Sequence, residues 1–282
     1  MRVAVFGAGY WGINYIRELG KYVEFVIEPN AERAEVVRKK YGVAVYPDLP
    51  EVYFDAAVVT TPPEHHVRIA KPILASGRKV LIEKPLAMSV NEAKELQPYA
   101  ENCMAALVYL FHPTVETLRK EASARIEFKQ LSHICSRRTN AGPVRPWQTA
   151  MHDLAPHDIS IFNYVLESSP KWVRAAGNND WTFLNLGYEL TSGETYDAIC
   201  YVSWHGGEKI RRIELVYTPE HSERFVFDDV SIVLSITPLR RMLDSFMNGQ
   251  WEKSTFDDGM AVMQVLQSAE KSLAMGGREV KL

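Results

Sequence analysis

At 282 residues, with 46% hydrophobic and 24% charged residues, the chain has the composition of a soluble globular protein and the length for two domains with cores of their own. A net charge of -3 excludes the basic excess expected of a nucleic-acid binder, and no run of 18 apolar residues is present to span a membrane. Cys103, Cys135 and Cys200 lie far apart with no CxxC, which predicts reduced core thiols and a cytoplasmic protein.

The opening "MRVAVFGAG" has no signal-peptide h-region and reads as a first strand. Short apolar runs then alternate with helix-like segments. "VAVFGA" precedes a helix at 12–20, "VEFVIE" one at 31–41, "AAVVTT" one at 64–76 and "KVLIEK" one at 89–102, and "CMAALVYL" closes the series. That order predicts βαβα units feeding a parallel sheet. Beyond about residue 120, "ARIEFKQLSHICS", "ETYDAICYVSW", "KIRRIELVYT" and "ERFVFDDVSIVLSI" alternate in polarity and predict an antiparallel sheet with one covered face. Between the first two, "HDLAPHD" (152–158) leads "ISIFNYVLE", whose spacing is helical. Residues 238–248 and 258–275 read as closing helices. The expected domains are 1–118 and 119–282.

The first strand runs into "GAGYWG". Gly7, Gly9 and Gly12 form Gly-x-Gly-x-x-Gly directly after a strand and before a helix. Gly7 permits the tight turn, Gly9 lets a pyrophosphate approach the backbone, and Gly12 lets the helix pack closely; the helix N-terminus attracts the anion. Gly7, Ala8, Gly9, Tyr10, Trp11 and Gly12 are therefore the candidate cofactor loop. Glu28 ends the second strand about 20 residues on, where an acid binds the adenosine ribose hydroxyls and repels a 2′-phosphate. NAD is expected rather than NADP. The alternative is a glycine-rich turn without a ligand.

Two further stretches fall at strand carboxyl ends, where open α/β sheets bind ligands. "TTPPEHH" supplies Thr61, Pro62 and Pro63 as a stiff loop suited to lie against a cofactor, with His65 beside it. His66 reads as a surface residue of the next helix. "EKP" places Glu83, Lys84 and Pro85 after the fourth strand. There Lys84 is either a solvated flank or a group beside the expected nicotinamide.

In "HDLAPHD", Asp153 and His157 are four apart and share a helix face, whereas His152 and His157, five apart, diverge. Such a pair suits the hydroxyl proton of an alcohol whose hydride goes to a cofactor. Pro156 fits a first helical turn, which would put His157 near a helix N-terminus, whose dipole favours the neutral imidazole. The plainer readings are a helix cap for Asp153 and a core hydrogen bond for His157. No metal is expected, since the histidines diverge and HExxH is absent.

Together, "GAGYWG", "TPPEHH", "EKPLAMSVNEAKEL" and "HDLAPHDIS" resemble the glucose-fructose oxidoreductase/inositol dehydrogenase/MocA family over nearly the whole chain. "SRRTNAGPVRPW", with Arg138, Asn140, Gly142 and Arg145, is similar to its UDP-N-acetylglucosamine and UDP-N-acetylglucosaminuronate 3-dehydrogenase subgroup. Glu28 stands for the more usual Asp, His152 for an aromatic residue, and Leu107 for a polar or aromatic one. The second domain is short for the family.

The resemblance implies an α/β protein. An N-terminal Rossmann domain with a doubly wound parallel sheet would precede a C-terminal α+β domain with an open, largely antiparallel sheet that mediates homodimers or homotetramers. It places the family's catalytic lysine on Lys84 and its Asp-x-x-x-His on Asp153 and His157. Lys84, Arg138, Asn140, Arg145, Asp153 and His157 would surround the substrate. The two arginines beside Asn140 suit a carboxylate or diphosphate, or are exposed loop charges. Lys84 would hold the alcohol oxygen; whether it or His157 takes the proton stays open. The implied activity is NAD-dependent oxidation of a sugar hydroxyl, at C3 of a UDP-N-acetylhexosamine or its uronic acid. The alternatives are a free sugar or cyclitol dehydrogenase, and a non-catalytic NAD-binding regulator.

Overall fold

The computed structural model describes residues 1–140, 148–218, 221–227, 236–249 and 251–282. They form two compact units, Met1–Val108 with Pro238–Met260, and Tyr109–Thr237 with Ala261–Leu282. The sequence reading drew a single boundary after residue 118; the described units part at 108, and the chain returns to the first for 238–260.

The first unit begins β1 (Val3–Phe6), α1 (Tyr10–Leu19), β2 (Val23–Ile27), α2 (Ala31–Tyr41), β3 (Ala44–Tyr46), β4 (Ala56–Val59), α3 (His66–Ala75), β5 (Lys79–Ile82), α4 (Val90–Ala93) and β6 (Cys103–Ala105). These strands pair in parallel in the order β3-β2-β1-β4-β5-β6. Strand order reverses between β1 and β4, the place where doubly wound sheets bind ligands. β1 and β4 are buried throughout, as strands covered on both faces must be. α2 starts where the Asn30 side chain accepts from Arg33 N and ends at Gly42, whose φ of 66° is left-handed. The helix expected at 89–102 is one α-turn followed by a 3-10 stretch, Lys94–Asn102, around Pro98, which has no N–H to continue an α-helix. "CMAALVYL" is strand only to Ala105, and Val108–Phe111 is a 3-10 turn.

The second unit holds α5 (Pro113–Glu127), β7 (His133–Thr139), α6 (Ala150–Leu166), β8 (Pro170–Gly177), β9 (Trp181–Glu189), β10 (Thr195–Ser203), β11 (Ile210–Thr218) and β12 (His221–Val226). The chain ends with α7 (Pro238–Asn248), α8 (Phe256–Ala274) and β13 (Val280–Lys281). The second sheet runs β12-β11-β7-β10-β9-β8-β13 and is antiparallel except between β7 and β10. α6 packs on β10, β9 and β7. Leu184, Leu186, Ala198 and Val202 are buried, while alternate residues Trp181 and Phe183 stay 38% and 39% exposed on the uncovered face. On that face Trp172 lies across Gly187, where a Cβ would come within 2.0 Å of the indole.

Of "ARIEFKQLSHICS", read as alternating, residues 124–127 belong to α5, and the strand starts at His133. Pro113 at the first turn and the His112 side chain accepting from Thr114 N start that helix. β8 and β9 were not anticipated. Residues 228–235 of "ERFVFDDVSIVLSI" lie outside the described residues.

α7 returns to the first unit and packs on α1, where Arg240 Nη1 donates to Glu18 O at 2.8 Å. Ser254 then closes the free edge of β6. Its hydroxyl accepts from Leu107 N at 3.0 Å and donates to Ala105 O at 2.5 Å.

Candidate active site

The candidate residues of the first unit lie where the chain leaves the carboxyl edge of the sheet after β1, β2, β4 and β5. After β1, Gly7 has φ +96°, and a Cβ there would lie 3.0 Å from Thr60 O. A Cβ at Gly12 would lie 2.1 Å from Gly7 O, so only glycine lets α1 start this close to the strand. At Gly9 a Cβ would meet nothing nearer than Arg33 Nη1, at 4.0 Å. α1 has no side-chain cap and no acid in its first turn. An open backbone before an uncapped helix N-terminus fits a pyrophosphate. Tyr10 is 78% exposed and Trp11 half-buried, edge-on to each other.

Glu28 is buried at the end of β2. Its Oε2 accepts from Ala8 N and its Oε1 from Asn30 N, both at 2.9 Å, and Arg33 Nη1 stands 3.8 Å away. The carboxylate thus fixes the loop it was expected to serve and keeps lone pairs for two ribose hydroxyls. Thr60, unnoticed in the sequence, donates its hydroxyl to Gly7 O at 2.8 Å. After Thr61 and Pro62, Pro63–His65 form a 3-10 turn. His66 is not a surface residue: it is 1% exposed, with Nε2 2.8 Å from Thr61 O and Nδ1 2.9 Å from Pro85 O. Burial pushes its pKa below the ordinary 6.5, against the pull of the two carbonyls, Glu64 and Glu92.

Glu83 and Lys84 are half-buried after β5, and the Lys84–Pro85 peptide bond is cis. Glu83 Oε1 accepts from the Tyr15 hydroxyl at 2.7 Å and Oε2 from Lys84 N at 3.1 Å. Burial, with Glu83 beside it, pushes the Tyr15 phenol well above its usual pKa.

In the second unit, Thr149 caps α6, its hydroxyl accepting from His152 N. Asp153 is therefore in the first turn and is not the cap. Pro156 lies in the helix interior, so the dipole argument for His157 lapses, because that effect fades beyond the first turn. Asp153 is buried and accepts from Trp204 Nε1 at 3.4 Å. The half-buried His157 ring lies 4.7 Å from that of Tyr109. His152 turns to other partners, Thr149 Oγ1 at 2.8 Å and Glu270 at 3.2 Å. Burial lowers its pKa, opposed by Glu270. Among the described residues no group of three His, Cys, Asp or Glu side chains is placed to hold a metal.

Arg138 is not a loop residue. It lies in β7, 2% exposed, with Nε and Nη2 on the Asp158 carboxylate, the nearest contact 2.6 Å, and its guanidinium 4.3 Å above the Tyr109 ring. Burial opposes the charge, but Asp158 and Tyr109 outweigh it and raise the pKa. The guanidinium expected at the substrate is committed to a buried ion pair between β7 and α6. Asn140 follows β7, half-buried, its backbone N–H bonded to Ser203 O. Gly142 and Arg145 lie outside the described residues. Tyr109, Asp158 and Tyr15 escaped the sequence reading, which also misplaced His66; each gains its meaning from a partner that topology supplies.

Residues 1–110 match an oxidoreductase family with an NAD-binding Rossmann fold. A UDP-N-acetylglucosamine 3-dehydrogenase of Acidithiobacillus ferrooxidans is 24% identical over 188 residues, 63% of this chain and 58% of that one. An inositol 2-dehydrogenase of Paenarthrobacter aurescens is 28% identical over 187 residues, 60% and 56% of the two chains. The matches span less than two thirds of either relative. The structure of a Lactobacillus casei myo-inositol dehydrogenase, solved with NAD(H) and myo-inositol, shares the fold with a TM-score of 0.82 at 16% identity, over 100% of this chain and 96% of that one.

Proposed function

We propose, from the match of residues 1–110 to the Gfo/Idh/MocA family of NAD-binding oxidoreductases, that this protein oxidises a secondary hydroxyl of a sugar or cyclitol. The observation that carries the reading is the pairing of two features on one sheet edge. The Gly7–Gly12 loop is fixed by Glu28 through Ala8 N, and Lys84 stands at the end of β5. Gly7 to Gly12, Glu28, Thr61, Pro62, Pro63 and His65 would hold the dinucleotide. When bound, NAD accepts the hydride of the carbinol carbon. The chain's task is the hydroxyl proton and the orientation of the sugar. The Lys84 ammonium stabilises negative charge growing on the alcohol oxygen. His157, held against Tyr109, is the proton acceptor its chemistry suits, and Asp153 orients it or the sugar.

The preferred substrate is a UDP-N-acetylhexosamine or its uronic acid, oxidised at C3, with Asn140 and Arg145 reading the charged part. A free cyclitol or sugar is the second reading. It is favoured by Arg138, whose commitment to Asp158 removes one of the two arginines expected to meet a diphosphate. NADH formation from UDP-sugars against inositols and free sugars decides. Turnover of free polyols alone overturns the UDP assignment, and tight NAD binding with no turnover on any polyol leaves a non-catalytic regulator.

The uncovered face of the second sheet, with Trp172, Trp181, Phe183 and Tyr201, suits a second copy of the chain, because apolar patches of this kind mark interfaces. The three free cysteines accord with a cytoplasmic setting; burial pushes the Cys103 thiol up to about 12.

A further inference from the structure

The turn that carries Lys84 is held from the helix that carries the phosphate loop. Tyr15 lies on α1, one turn beyond Gly12, and is 1% exposed. Its hydroxyl reaches across to β5 and donates to Glu83 Oε1 at 2.7 Å, and the other oxygen of that carboxylate accepts from Lys84 N at 3.1 Å. One carboxylate thus bridges a buried phenol and the peptide N–H of Lys84. A carboxylate accepts and never donates, so each bond needs its proton on the partner. Tyr15 keeps its proton, because burial next to Glu83 holds the phenol neutral. Bonds to an ionised acceptor are about twice as strong as neutral ones, and stronger again away from water. Glu83 is also expected at the cofactor, and each of its oxygens takes one of these two contacts.

We infer that Tyr15 is a positioning residue for Lys84, acting through Glu83, so that the helix under the pyrophosphate and the lysine of the next loop keep one fixed spacing. This rests on the catalytic reading of Lys84 proposed above. Displacement of a catalytic group by about 1 Å from outside the reacting centre costs on the order of 100-fold in rate. The two bonds give Tyr15 a path to Lys84 through the Glu83 carboxylate.

The test is Tyr15→Phe, which keeps the buried ring and removes only the hydroxyl. The Lys84 amide exchange rate, read by NMR without substrate, should rise roughly tenfold or more as Glu83 loosens. NAD affinity should stay within about twofold, since the phosphate loop is intact. With the sugar or polyol that gives NADH in the screen proposed above, kcat should fall roughly 10- to 100-fold with KM nearly unchanged. Glu83→Gln, which weakens the same bridge, should raise exchange at Lys84 as well. Unchanged exchange in both variants overturns the bridge. Faster exchange with unchanged kcat overturns the positioning role and leaves Tyr15 a packing residue. A fall in NAD affinity matching the loss of kcat also overturns it, by moving the effect to the loop. If Lys84→Met leaves kcat intact, it is the catalytic reading that fails, and the exchange data still decide whether the bridge exists.

Discussion

Lys84, His157 and His152 carry separable expectations. His157→Asn should keep the fold and NAD affinity but lose ~10²–10⁴-fold in kcat, the range for acid–base groups. Lys84→Met should do likewise, since its charge acts mainly in the transition state. His152→Ala should leave turnover nearly intact, because its ring serves Thr149 and Glu270. Steady-state kinetics with NAD titration checks all three; equal damage at 152 and 157 would mean the pair has been misassigned. Glu28 should favour NAD over NADP by at least tenfold, about 1.4 kcal/mol. Arg33, 3.8 Å from that carboxylate, offsets part of its repulsion of a 2′-phosphate, so Arg33→Ala should widen the ratio of dissociation constants. A narrower ratio would assign Arg33 no such part. Like His152, His66 contributes to the pH dependence. Its folded pKa lies below 6.5, so the unfolded chain takes up this proton first on acidification. Its contribution is complete above 6.5 and is lost as pH falls through the folded value. His66→Gln should therefore flatten the decline in urea midpoint between about pH 7 and 5; an unaltered decline would exonerate His66. The phosphate loop and Glu28 were legible because strand, turn, helix and acid follow at set spacings. His66 was not, because only the position of Pro85 O reveals its second partner.

Helix α6 and strand β7 are joined by Arg138 and Asp158, 3% and 1% exposed in their side chains. Removing one member strands the other charge away from water. Asp158→Ala should lower unfolding stability by ~3–5 kcal/mol, whereas Arg138→Met with Asp158→Leu should recover most of it. Urea denaturation distinguishes this from a weak surface pair, for which the single substitution would cost under about 1 kcal/mol. The position of α6 in the chain was evident from "ISIFNYVLE", but its start was not. Pro156 imitates a first-turn proline, and the true cap, Thr149, sits outside the heptapeptide that drew attention. Proline is tolerated there in a helix packed against a sheet, because tertiary contacts outweigh local propensity. Strands β8 and β9 were missed for a similar reason. Their aromatic and polar residues face an uncovered side, so the alternation lacks contrast. Contacts such as Tyr15 with Glu83, 68 residues apart, have no local signature at all.

For the whole molecule, the parallel first sheet followed from the βαβα alternation, whereas the short strand β3 was missed, its three residues carrying too little apolar pattern to register. The open second sheet should join two or more copies. Sedimentation should give a dimer or larger species, and Phe183→Asp on the uncovered face should dissociate it; a wild-type monomer at all concentrations would refute the assignment. The return of residues 238–260 to the first unit has a consequence for synthesis. A chain emerging N-terminus first, at roughly 5–20 residues per second, has made β6 long before Ser254 exists to seal its edge. Until residue 260 has cleared the ribosome, the nucleotide-binding half presents an open strand and a bare face of α1. Its maturation waits on synthesis through residue 260, and messages truncated ahead of that point should yield aggregation-prone products, not a small soluble dinucleotide binder.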